Sequence, residues 1–201
     1  VTIAVLDSGV NVNHPDLKDH LVPGYNVYDG NTDLTDVCGH GTAVAGTAAA
    51  TGNNATGVAG VAGAARIMPV RIAYKDPTLG CYAYYSTIAS GVTYAADHGA
   101  RVANISYAGV AGSASILSAA RYMNSKGGVV VVAAGNNNKD ENITPDPALV
   151  VVAATDNNDN KASFSSWGSF VTISAPGTSI WTTDNSLGYT QWQGTSFSAP
   201  F

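Results

Sequence analysis

The stretch Val1-Thr2-Ile3-Ala4-Val5-Leu6-Asp7-Ser8-Gly9 decides how the chain is read. Its first six residues, β-branched and apolar, have the grammar of a buried strand, and Asp7-Ser8-Gly9 ends it with a polar side chain at the carboxyl end. The same pattern returns at Arg66 to Ile72, Arg101 to Ser106, Val129 to Ala134, Leu149 to Ala153 and Phe170 to Ser174. Helical patterns stand between these runs at His40 to Thr51, Ser86 to His98 and Ser113 to Ser125; in the last, Ile116, Leu117, Ala120 and Met123 make one apolar face. Strand alternating with helix predicts an α/β fold in three layers. A mostly parallel central sheet carries helices on both faces, joined by right-handed crossovers, with a site at the carboxyl ends of the strands.

Composition narrows the partners. The 201 residues are 45% hydrophobic, enough for the core of one domain over residues 1–201. Only 11% are charged, the net charge is −5, and the basic residues are scattered singly, so nucleic acid is not an expected partner. No apolar run reaches the roughly 20 residues of a membrane span. Few Lys, many Asn, Ser, Thr and Gly, and two Cys suit an exported protein. Cys38 and Cys81 have neither the ligand count of a zinc site nor the spacing of a redox motif; a disulfide and two buried thiols both remain open at this level. The Asn-rich stretches Asn136 to Asn142 and Asp156 to Asn160 read as solvated loops.

Three residues taken singly are ambiguous. Asp7 could cap a helix or hold a turn, His40 in Gly39-His40-Gly41-Thr42 could be a loop histidine, and Ser196 in Gly194-Thr195-Ser196 could be an N-cap. Together they supply a carboxylate to orient an imidazole, the imidazole as base and then acid, and a hydroxyl nucleophile. Their chain order, Asp then His then Ser, is one of the known orders of an acyl-transfer triad.

The residues around them carry a resemblance. Asp7-Ser8-Gly9-Val10, His14-Pro15-Asp16-Leu17, His40-Gly41-Thr42 with Val44-Ala45-Gly46-Thr47, Ala133-Ala134-Gly135-Asn136, Ala162-Ser163-Phe164-Ser165, Ala175-Pro176-Gly177-Thr178 and Gly194-Thr195-Ser196 resemble the subtilisin-like serine peptidases, in family order over essentially the whole chain. The resemblance implies a secreted serine endopeptidase that cuts protein substrates through an acyl-enzyme on Ser196. Its optimum would lie near or above neutral pH, because His40 must be unprotonated to act as base. The Ser196 backbone N–H and the Asn136 side chain would form the oxyanion hole. The other reading is a catalytically silent binding or structural module on the same fold; no triad or oxyanion residue is replaced, which counts against it.

Further roles come from the same resemblance. Ser106-Tyr107-Ala108 and Cys81-Tyr82-Ala83 would be the two edges that receive a substrate peptide as an added strand. Ala133-Ala134-Gly135 would wall a primary pocket with room for a medium or large apolar side chain, and Tyr85 would border a more distant one. Cys38 and Cys81 fall near each other in such a fold, implying a disulfide between the His40 loop and the substrate edge. No cofactor is needed for catalysis. A structural calcium would take the carboxylate of Asp16, the side chain of Asn54 and the carbonyls of Gly52, Thr56 and Val58, an oxygen-only set suited to a hard cation. Ala43 departs from the second histidine common at that position. Family domains also have a segment before the Asp motif and a long buried helix after the Ser motif, so these 201 residues alone are expected to be less stable and less active than a complete monomeric enzyme.

Overall fold

The computed structural model describes residues 1–78 and 80–201. The chain passes through β1 (Thr2–Asp7), β2 (Tyr25–Asn26), α1 (His40–Ala49), β3 (Arg66–Arg71), β4 (Ala73–Asp76), β5 (Gly80–Ala83), α2 (Tyr85–Asp97), β6 (Val102–Ile105), α3 (Ala114–Ser125), β7 (Val129–Ala133), β8 (Leu149–Thr155), β9 (Ile173–Pro176), β10 (Ile180–Thr183), β11 (Tyr189–Trp192) and α4 (Thr195–Ser198). Seven strands form a parallel sheet in the order β2-β3-β1-β6-β7-β8-β9. β1 therefore lies between β3 and β6, shielded from both edges.

Side chains leaving β1 alternate between two cores, as a strand's period of two requires. Ala4 and Leu6 join the core under α2 and α3, whereas Ile3 and Val5 join the one under α1 and Phe197. β3 divides in the same way, with Met68 and Val70 on the first side and Ile67 on the second. The α2 and α3 face buries Ile88, Val92, Ile116, Ala119 and Met123. Each large apolar side chain so buried contributes about 1.5–3 kcal/mol. Leu117, expected on the α3 stripe, is only half-buried, and Ala119 takes the inner place.

The expected strand from Phe170 to Ser174 is displaced. Gly168 to Val171 closes a turn that drops Phe170 into the α2 and α3 core, and pairing with β8 proper begins at Ile173. Two hairpins, β4–β5 and β10–β11, and the short β2 escape the sequence reading. Both hairpins are half-exposed ribbons whose inner positions include Thr and Tyr, so no apolar run marks them.

The β10–β11 hairpin closes over α1. Thr182 and Thr183 donate their hydroxyls to the carbonyls of Ala43 and Thr42, each at 2.7 Å. A Cβ on Gly46 would stand 2.1 Å from Thr183 Oγ1, so the small residues of α1 admit this hairpin as well as the sheet. Ala43, fully buried, sits under it.

Candidate active site

Asp7 ends the central strand and is 1% exposed. It accepts from His40 Nδ1 at 2.8 Å through Oδ1 and 3.0 Å through Oδ2, and its Oδ1 also takes the Ser8 N–H at 2.7 Å. An ionised carboxylate has no proton to give, so Nδ1 carries the hydrogen and Nε2 is left with a free lone pair. Burial pulls the His40 pKa down, but the charge and hydrogen bond of Asp7, reinforced by Asp36, outweigh it and hold the pKa above its ordinary value.

His40 opens α1, and the orphan N–H groups of that first turn are satisfied from outside the helix. Gly41 donates to Ser8 Oγ at 3.0 Å, and Thr42 donates its N–H and its hydroxyl to Asp36 Oδ2 at 2.8 and 2.6 Å. Asp36 Oδ1 accepts from Ser8 Oγ, Cys38 N and Gly39 N at 2.7, 3.1 and 2.8 Å. Buried Asp36 thus fixes both the loop entering α1 and the end of β1. The sequence reading passed over it. An Asp just upstream of a helix start was the available signal, although here it caps from beyond the N-cap position. Gly41 is demanded by contact, since a Cβ there would meet Gly9 O at 2.1 Å.

Ser196 is the second residue of the one-turn α4. Its Oγ donates to the carbonyl of Ser106 at 3.0 Å, while Ser106 Oγ donates to the carbonyl of Ser196 at 2.7 Å. The expected contact between Ser196 and His40 Nε2 is therefore not made in this conformation. The imidazole nonetheless lies beside α4, its centroid 5.5 Å from that of Phe197 and 6.2 Å from Trp192. Tyr107 closes the other side of the ring at 6.1 Å, and burial pushes its phenol well above the ordinary range, so that it stays neutral.

Asn136 meets the same turn. Its Oδ1 accepts from Thr195 N at 2.9 Å and Thr195 Oγ1 at 3.0 Å, which fixes the amide and leaves Nδ2 on the outer side. Gly194, at φ +142°, has its missing Cβ 3.4 Å from Asn136 Nδ2 and 3.7 Å from Ser196 N. A side chain there would occupy the space between two N–H donors. Glycine keeps it open.

A groove of about 390 Å³ runs past His40, with Cys81 and Gly80 on one side and Ser106, Tyr107 and Ala108 on the other. Among the described residues β5 pairs with β4 alone, and the segment after β6 has left the sheet, so both walls of the groove carry backbone outside the central ladder. Cys38 and Cys81 are joined by a disulfide with Cα atoms 6.2 Å apart, tying the His40 loop to β5. Tyr82 is exposed, Ala83 half-buried, and Tyr85 donates its hydroxyl to Gly109 O at 3.0 Å. Ala133 ends β7, and Ala134 and Gly135 follow it; all three are buried, Ala133 against Val152 and Ala199, and the position a Gly135 Cβ would take lies 3.6 Å from Ala108 Cβ. The surroundings of that position are not wholly apolar: Ser166 Oγ lies 3.1 Å from it and Glu141 Oε1 3.6 Å, the latter a residue the sequence reading assigned to a solvated loop.

The loop at residues 52–58 closes on buried Asp16. Asn54 Nδ2 donates to Asp16 Oδ1 at 2.6 Å and Val58 N to Oδ2 at 3.2 Å, and Asn54 Oδ1 takes the Thr56 N–H at 3.3 Å. Among the described residues no group of three or more His, Cys, Asp or Glu could hold a metal ion.

A parallel sheet that brings an Asp-bound imidazole, a serine at a helix start and two N–H donors to one carboxyl edge defines a serine hydrolase. The sequence model of the Subtilase family matches residues 1–201. Thermitase of Thermoactinomyces vulgaris is 42% identical over 200 residues, covering 98% of this chain and 70% of thermitase. A thermophilic serine proteinase of Bacillus sp. (strain AK1) is 40% identical over 200 residues, with 98% of this chain and 49% of that protein covered. The crystal structure of a cold-adapted subtilisin-like serine proteinase superimposes with a TM-score of 0.86 at 35% identity, over 99% of this chain and 71% of that one. The chain belongs to the subtilase family and is a serine endopeptidase domain of subtilisin type.

Proposed function

We propose that Asp7, His40 and Ser196 are the working triad of this endopeptidase, with Asn136 Nδ2 and the Ser196 N–H as oxyanion donors. The observation that carries the reading is the bidentate Asp7–His40 contact at 2.8 and 3.0 Å, which leaves Nε2 free next to the turn bearing Ser196. The Ser196 hydroxyl resting on the Ser106 carbonyl favours the silent-module reading only if it cannot leave. Rotation about one side-chain bond frees it, a change between staggered wells.

In the reaction Ser196 Oγ gives its proton to His40 Nε2 as it attacks the scissile carbonyl. Nδ1–H stays on Asp7, which stabilises the imidazolium without being protonated. The new oxyanion takes the two N–H donors around Gly194, and the imidazolium protonates the leaving amine. Water then repeats the sequence on the acyl-enzyme. The substrate backbone lies as an added strand between residues 81–83 and 106–108, a reading supported by the position of both walls outside the central ladder, on either side of the groove past His40. The enzyme works as a secreted monomer; the disulfide at Cys38 and Cys81 suits an oxidising compartment, and no helix among the described residues is long and apolar enough to cross a membrane.

No cofactor enters the chemistry. The Asp16, Asn54 and carbonyl set at Gly52, Thr56 and Val58 offers oxygen donors to a structural calcium, provided the Asn54 amide turns its oxygen toward the site now closed by its Nδ2. Addition of calcium or a chelator, read by thermal melting, tests this. The catalytic proposal is tested by hydrolysis of an unfolded protein by the full-length enzyme and its Ser196→Ala variant. Cleavage by the first and none by the second is expected; equal cleavage by both would refute the assignment.

A further inference from the structure

We propose that Lys75 is a specificity-determining residue that favours substrates placing an aspartate or glutamate in the groove beside His40. The proposal rests on the peptidase reading above and adds a preference in substrate charge.

The register of the ribbon fixes where Lys75 stands. In the β4–β5 hairpin Lys75 pairs with Cys81, Ala73 with Ala83 and Tyr74 with Tyr82. Directly opposed residues of an antiparallel pair project from the same face, and successive residues of a strand from opposite faces. Lys75 and Cys81 therefore share one face, and Tyr74 and Tyr82 lie on the other. The disulfide from Cys81 to Cys38 shows which way the first face looks, since Cys38 is two residues from His40. Lys75 accordingly lines the groove of about 390 Å³ together with His40, Cys38, Cys81 and Tyr107. Lys75 is exposed and the His40 side chain is 23% exposed, so the groove is open to a peptide from outside.

The ammonium has no ion pair among the described residues, where the basic partners of the carboxylates are His40, Arg71, Arg121, Lys126 and Lys139. Neither carboxylate behind the imidazole is available to it. Asp7 is buried and bound to His40, and Asp36 is buried under five hydrogen bonds. A cation without an anion of its own, on the wall of a groove that takes peptide, attracts a negative side chain and repels a positive one. Its exposure keeps the preference to a few-fold. A lysine on a ribbon can also serve merely to keep foreign strands away. Its place on the face that looks toward His40 speaks for the substrate role.

The test measures kcat/KM of the full-length protein, Lys75→Gln and Lys75→Glu on peptides in which each residue flanking the scissile bond is in turn glutamate, glutamine or lysine. At one position glutamate is expected to be cleaved about threefold better than glutamine by the wild-type protein and about equally by Lys75→Gln. In Lys75→Glu the order inverts, with lysine preferred there by a similar factor. Raising the salt to about 1 M, where the Debye length is about 3 Å, should flatten both preferences. Melting temperature, expected to be unchanged, checks that the variants fold. Ratios that are the same in all three proteins at every position, with fluorophosphonate labelling of Ser196 intact, overturn this proposal alone. Absence of both labelling and cleavage in folded wild-type protein overturns the peptidase reading and this one with it.

Discussion

The acid–base half of the site and the nucleophile half are built differently. The loop and first turn that carry His40 are firmly tied: Asp7 holds Nδ1, Ser8 holds Gly41, and Asp36 accepts five hydrogen bonds from Ser8, Cys38, Gly39 and Thr42. Ser196 rides on a helix of four residues, and its hydroxyl is parked on the Ser106 carbonyl. The contrast follows the chemistry. A base must keep one tautomer and one orientation through both half-reactions, whereas the nucleophile has to move from its resting partner to the imidazole and then to the substrate. Rigidity is placed where a proton waits.

Removing the moving part should cost most. Ser196→Ala is expected to lower peptide turnover on the order of 10⁶-fold, the size known for a subtilisin, and His40→Ala by a similar amount, because the two act as a unit. Turnover measurements on both variants and on the double variant check this, and additive losses would break the comparison.

Asn136 belongs to both halves, since its Oδ1 anchors Thr195 while its Nδ2 faces the Gly194 opening. Asn136→Ala should reduce kcat by about 10²–10³-fold with a smaller change in KM. Asp36→Ala attacks the rigid half instead. Loss of a buried cap with several donors should destabilise the fold by about 2–4 kcal/mol, seen in denaturant melts, with activity lost in parallel. Reduction of the disulfide loosens the same loop from the substrate edge. The 43-residue separation corresponds to about 4 kcal/mol in the chain-entropy account, and thermal melting with and without a reductant measures it.

The smallest effect is the most diagnostic in sign. Because the folded pKa of His40 is raised, its protonation adds stability that is fully present below the unfolded pKa, near 6.5, and is lost as pH rises through the folded pKa. Activity runs the other way, since the neutral base is gained over that same rise. Melting temperature and turnover followed together from about pH 6 to about pH 9 should show opposite contributions from this one group, and Asp7→Asn should move the activity limb to lower pH.

Much of this was legible beforehand. The long parallel strands announced themselves because strands buried on both faces are apolar runs, and α3 because its apolar stripe repeats; α1, a helix of small residues buried all round, carries no such stripe. Asp7, His40, Ser196 and Asn136 could be named because each sits in a short motif at the end of such an element. The hairpins were hidden because ribbons stabilised by Thr hydroxyls and half-exposed Tyr carry no apolar signature. Asp36 and Glu141 were missed for a related reason. Both lie in polar loops, and only the folded chain shows that one caps α1 and that the other accepts from Asn137 and Ser166. The parked Ser196 hydroxyl is a matter of one torsion, on which sequence is silent.

The most direct test of the divided site is the rate of fluorophosphonate labelling as a function of pH, with the adduct located by mass spectrometry on the full-length protein. A single adduct on Ser196, forming faster as pH rises through a pKa above 6.5 and absent in Ser196→Ala, is the predicted result. A folded protein that takes no label, or takes it elsewhere, would contradict the account.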